Sequence, residues 1–105
     1  MSALLRLWRG RTSPAKAVEY ERLLRETHLP SIAARAIPGF QRIELHKREL
    51  GDRIEFITVM WFDSLDAVIA YAGPDYRRAA ISERARALLD DPDEHVDHYE
   101  FCAAA

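Results

Sequence analysis

Residues 40–61 read FQRIELHKRELGDRIEFITVMW, and the fold follows from how this stretch is divided. In its first half, Phe40 to Arg48, side chains alternate: Ile43 and Leu45 fall on one side, Arg42, Glu44 and His46 on the other. That is the period of two of a strand with unlike faces. Glu49 to Arg53 carries Gly51-Asp52 and reads as a hairpin turn into Ile54 to Trp61, a β-branched and aromatic run. Two antiparallel neighbours result.

Upstream, Ile37-Pro38-Gly39 is a helix stop. The helix it closes starts at Ser13-Pro14, because a serine cap followed by proline places a residue without an amide proton where none is needed. Ala17, Tyr20, Leu24 and His28 then recur at helical spacing. Pro30 is expected to kink or end this helix, with a further turn or two through Ala36. Before it, Ala3 to Arg9 is a short apolar run bounded by Gly10, suited to a first strand.

Downstream, Asp63-Ser64 caps a second helix through Ala72, and Gly73-Pro74 breaks it. Tyr76 to Leu89 is expected to supply further helical turns, stopped by Asp90 to Asp93. His95 to Cys102 forms a last strand, and Ala103 to Ala105 a frayed end. The order β-α-β-β-α-β is the ferredoxin-like α+β pattern: a four-stranded antiparallel sheet with both crossover helices on one face.

A chain of 105 residues, 49% hydrophobic and 30% charged, fits one globular domain over 1–105. So small a domain buries a modest share of its surface, and pairing with a second copy is a natural route to more stability. Lys and Arg number 15 against 17 Asp and Glu, scattered along the chain, which is no nucleic-acid footprint. Arg6 and Arg9 interrupt the apolar N-terminus and no other run approaches a membrane span, so a cytoplasmic protein without membrane contact is expected. Cys102 is the only cysteine and cannot form an internal disulfide; it reads as a small packed hydrophobe rather than a reactive thiol.

Several local patterns are shared with one known family. Ile37-Pro38-Gly39-Phe40, Trp61 followed by Phe62-Asp63-Ser64-Leu65-Asp66-Ala67, the Tyr71-Ala72-Gly73 break before Asp75-Tyr76, and His98-Tyr99-Glu100-Phe101 together resemble the antibiotic biosynthesis monooxygenase family over nearly the whole chain. The resemblance implies a dimeric α+β barrel, in which the helix-free sheet faces of two subunits pack together and each subunit holds a pocket between sheet and helices. Members of that family oxygenate aromatic polyketides without metal or flavin, degrade haem, or process small signalling molecules. The haem-degrading members require an asparagine in the first strand, absent here, and their tryptophan and histidine positions fall on Tyr71 and Ile81. Haem chemistry is therefore not expected.

No other cofactor is implied. His95 and His98, three apart on an expected strand, point to opposite faces, and His28 and His46 have no ligand-type neighbour in sequence. A Gly-rich phosphate loop and a nucleophile elbow are both missing.

The expected pocket is lined by Tyr20, Leu24 and His28 from the first helix, with Trp61, Tyr71 and Tyr76 as aromatic walls or as core packing. His28 is the one titratable group among them, either a general base toward a ligand or a histidine bonding a carbonyl freed at the Pro30 kink. Two functions are compatible with this: a cofactor-independent monooxygenase on a small phenolic or quinol-like aromatic, and a non-catalytic small-ligand-binding or scaffold protein of the same dimeric fold. For the dimer, period two sets Leu5 with Leu7 and Tyr99 with Phe101 beneath the helices, beside Ile43 and Leu45. Arg6, Arg42, Glu44, His46, His98 and Glu100 are then expected in the sheet-to-sheet contact, joined by Leu4 and Trp8.

Overall fold

The computed structural model describes residues 3–105; residues 1 and 2, with which the expected domain begins, lie outside the described residues. The elements are β1 (Leu4–Thr12), α1 (Pro14–Leu23), a π-helical turn (Leu24–His28), α2 (Leu29–Ala34), β2 (Phe40–Leu50), β3 (Arg53–Phe62), α3 (Leu65–Ala72), α4 (Glu83–Leu88) and β4 (Asp97–Glu100). The strands form one antiparallel sheet in the order β2-β3-β1-β4, the ferredoxin-like arrangement.

The β2–β3 hairpin turns on Gly51-Asp52, with Leu50 paired to Arg53 and Gly51 at φ 65°. Gly39, at φ 87°, links α2 to β2 and accepts the Asp63 amide at 2.9 Å; a Cβ there would collide with the Asp63 carboxylate and Ala67. Ser64 and Ser82 cap α3 and α4 by accepting the Ala67 and Ala85 amides, both at 3.1 Å. Such caps contribute about 1 kcal/mol each. Ser13 caps α1 through its carbonyl instead, which accepts the Lys16 and Ala17 amides.

Pro30 does not end the first helix. The turn before it widens, and the Leu29 amide bonds the Leu24 carbonyl five residues back. Proline has no amide proton and its ring crowds the carbonyl four residues before it, so a widened turn lets the helix pass through. The second helical region is shorter than expected: after Gly73, at φ 86°, residues 74–82 run as an irregular strap bridged at Arg78 to His95, and α4 restarts only at the Ser82 cap. Cys102 is exposed near the chain end, contrary to the packed role expected of it.

Sheet register corrects the expected facing of β1 and β4. Phe56, Met60 and Phe62 point under the helices; their β1 partners Gly10, Arg6 and Leu4 share that face, and Arg6 in turn pairs with His98. Leu5, Leu7 and Tyr99 therefore lie on the helix-free face with Ile57, Val59 and Trp61, while Arg6, Trp8 and His98 lie under the helices. A slip of one residue in reading a strand exchanges its whole set of side chains. On β2 the expected facing holds, with Ile43 and Leu45 packed inward.

The core forms two clusters. One joins Tyr20, Leu23, Leu24, Phe56, Ala85 and Leu89, with the Tyr20 and Phe56 rings 4.9 Å apart. The other joins Met60, Phe62, Ala67 and Val68. Burying each large apolar side chain contributes about 1.5–3 kcal/mol.

Candidate functional site

Between the two clusters the packing is interrupted by a cavity of about 100 Å³. Tyr20, Leu24 and His28 line it from the first helix and Ile43 and Met60 from the sheet, with Tyr71 at the end of α3 and Ala79 to Ser82 of the strap closing the far side. Trp8 and Arg6 of β1 complete the wall.

Arg6 is the unusual member. Only 6% of it is accessible, and among the described residues no carboxylate lies within 4.0 Å of it. Its Nη1 donates to the Tyr76 carbonyl at 2.6 Å and meets His98 Nε2 at 3.1 Å. Its guanidinium sits 5.5 Å from the centre of the Tyr71 ring, a cation–π contact. Burial pulls its pKa below the ordinary arginine value, and Tyr71 opposes this.

An arginine has only protons to offer, so the Nη1–His98 contact requires a lone pair on Nε2. His98 is held neutral: burial, then Arg6 and Arg77, lower its pKa, against a smaller pull from Asp97. The Tyr76 ring meets the His98 ring edge-on at 5.3 Å.

His28 Nε2 lies 3.0 Å from Ser82 Oγ. Its Nδ1 is occluded with no hydrogen-bond partner among the described residues, while Nε2 is engaged by Ser82 beside the cavity that His28 lines. Burial and then Arg84 lower its pKa; the Leu23 carbonyl pulls the other way without meeting hydrogen-bond geometry. Burial alone pushes the Tyr20 phenol up, so that hydroxyl keeps its proton.

The same architecture occurs in solved oxygenases. The chain superposes on a structure from Caulobacter crescentus provisionally named an antibiotic biosynthesis monooxygenase with TM-score 0.65, at 18% identity over 99% of this chain and 92% of the other. SnoaB, a cofactor-independent oxygenase from Streptomyces nogalater, gives TM-score 0.54 at 20% identity over 99% and 94%. The ActVA-Orf6 monooxygenase of Streptomyces coelicolor, solved with nanaomycin D, gives 0.54 at 16% over 99% and 88%. The chain shares the fold of these structures. No protein-family model matches the chain, and no curated protein matches it by sequence.

Within this fold, four of the six expected site residues, Tyr20, Leu24, His28 and Tyr71, come together at the cavity. Trp61 does not: it pairs with Leu5 and Arg42 on the helix-free face. Tyr76 stands beside the site and reaches it through its carbonyl, which anchors Arg6. Sequence reasoning missed Arg6 and Trp8. Arginine between two leucines reads as the wet side of a strand, and only the register with Met60 reveals otherwise.

No group of three or more His, Cys, Asp or Glu side chains among the described residues is arranged to hold a metal ion. No helix among them is long and apolar enough to cross a membrane.

Proposed function

We propose that the chain is a cofactor-independent monooxygenase acting on a small phenolic or quinol-like aromatic. The observation that supports this most directly is a largely apolar cavity lined by one imidazole, that of His28 with its Nε2 on Ser82, and by one buried cation, Arg6. His28, kept neutral by its lowered pKa, takes the proton of a phenol or of the ring carbon activated by it. Arg6 faces the same space and offsets the negative charge that develops on the ring oxygen. The electron-rich carbanion then reduces dioxygen, which forms a carbon–oxygen bond as a hydroperoxide. Loss of water from that hydroperoxide leaves a carbonyl: one oxygen atom enters the product, the other departs as water, and the substrate carbon supplies the four electrons.

SnoaB, described as a cofactor-independent oxygenase, and ActVA-Orf6, with nanaomycin D bound, have this architecture and so favour this class of chemistry. Oxygen uptake with a panel of anthrones and hydroquinones tests the reading. Saturable uptake that falls with His28→Ala supports it. Binding of the same compounds without any uptake favours instead a ligand-binding protein of the same fold.

The protein works, on this reading, as a homodimer. Leu5, Leu7, Ile57, Val59, Trp61 and Tyr99 form an apolar surface on the helix-free face, the face on which two copies of a dimeric α+β barrel meet.

A further inference from the structure

Most arginines of this chain have carboxylate partners. Arg9, Arg11, Arg25, Arg42, Arg48, Arg78 and Arg86 each pair with an aspartate or glutamate, and all are more accessible than Arg6. Arg6, the most buried, has none among the described residues. A buried cation left without an anion is costly, and folding alone gives no reason to keep it. Its own bonds leave one side of the guanidinium unused: Nη1 makes both hydrogen bonds, to the Tyr76 carbonyl and His98, while Nε and Nη2 make none among the described residues. Neither of those two nitrogens is an occluded, unsatisfied atom, so the open edge of the fork faces the cavity that Arg6 lines.

We infer that Arg6 is an anion-binding residue and that the cavity takes a small aromatic carboxylate, its carboxylate bidentate on Arg6 Nε and Nη2 and its ring against Tyr71, Met60 and Leu24. The Nε–Nη2 edge presents two parallel N–H groups at the spacing of the two carboxylate oxygens, which a lysine could not do. Tyr71 sets the plane: its ring already lies against the guanidinium, at 5.5 Å, so an arene continuing from the carboxylate meets apolar side chains. At about 100 Å³ the cavity is smaller than the ~150 Å³ apolar cavities that take up benzene, so it has room for one ring at most. Three residues hold the fork in this orientation without neutralising it: Tyr76 through its carbonyl, His98 through its lone pair, and Tyr71 through its face.

This inference rests on the reading that the cavity receives an aromatic molecule and is independent of oxygen chemistry. The test is therefore binding under nitrogen, followed by quenching of tryptophan fluorescence, with 2,5-dihydroxybenzoate and its neutral isostere 2,5-dihydroxybenzamide as probes. The acid is expected to bind about tenfold or more tighter than the amide. In Arg6→Gln that preference is expected to vanish by weakening the acid alone. Equal affinity of the intact protein for the two, failure of both to bind at millimolar concentration, or a preference that survives in Arg6→Gln overturns the inference. Should Arg6→Gln not fold, the acid-to-amide comparison on the unmodified protein and its weakening by salt still decide. Oxygen uptake is read separately: a strong acid preference without uptake sinks the monooxygenase reading and leaves the anion site, whereas uptake with neutral quinols and no acid preference does the reverse.

Discussion

Arg6 and His98 face each other across adjacent strands, with Arg6 Nη1 3.1 Å from His98 Nε2, and this contact fixes the state of both. The arginine must donate, so His98 is neutral with its remaining proton on Nδ1. Protonating His98 would break the bond and set two cations side by side in a poorly hydrated place, beside Arg77 as well.

Stability is expected to depend on pH through this pair and through His28. Both histidines have folded-state pKa values lowered below 6.5, chiefly by burial. The unfolded chain then binds more protons than the folded one as pH falls through the unfolded value. Folding free energy is accordingly full above that value and declines as pH drops below about 6.5, levelling off only beneath the lowered folded values. Urea unfolding between pH 5 and 8 measures it. His98→Gln, whose side-chain oxygen can still accept from Arg6, should flatten the slope.

Replacing His28 by alanine is expected to impair ligand binding or turnover more than folding. Its Nδ1 is already occluded without a partner, and its bond to Ser82 is a single contact, so the loss of stability should stay near 1 kcal/mol. Thermal melts alongside oxygen uptake compare the two effects. A fall in melting temperature as large as that of Phe62→Ala would make His28 a structural residue.

Phe62 and Trp61 are neighbours in sequence with opposite fates. Phe62 is fully buried, with Phe40 and Tyr71 rings at 5.7 and 5.8 Å, whereas Trp61 projects from the helix-free face. Phe62→Ala should cost about 3–5 kcal/mol of monomer stability. Trp61→Ala should cost the monomer far less and weaken self-association instead, which denaturation at two protein concentrations separates.

The hairpin at residues 40–61 was legible because alternation and a Gly-Asp turn agree there, and the β2 facing follows from Ile43 and Leu45. β1 was not, because Leu4, Leu5, Leu7 and Trp8 put apolar groups on both of its faces and Arg6 looks like the odd one out. Parity was decided by pairing with β3, information the strand itself lacks. The same slip hid the buried cation of the site, Arg6. The strap at residues 74–82 resembles helix in composition, yet Arg78 is tied to His95 across the chain. Of the four cavity residues found from sequence, Tyr20 lies on α1, and Leu24 and His28 open and close the widened turn that continues it, so all three line the cavity from one helical segment.

The dimer prediction follows from the corrected register. Leu7 pairs with Val59 and Leu5 with both Trp61 and Tyr99, so the middle of the helix-free face is apolar across three strands. Around it the charges are largely paired within the chain: Glu55 lies between Arg48 at 2.7 Å and Arg11 at 3.7 Å, Arg9 holds Asp97 at 2.8 Å, and Glu44 meets both Arg42 and His46. Withdrawing such a surface from water costs less than it would with unpaired charges, because each charge brings its partner, and the apolar centre supplies the driving force against the desolvation that remains. Light scattering is therefore expected to find a homodimer. Leu7→Glu, which puts an unpaired charge at the centre of the contact, should shift it to monomer, while Arg42→Glu, at the rim and beside Glu44, should weaken association less. A monomer for the unmodified protein, or an intact dimer in Leu7→Glu, would rule this face out as the interface.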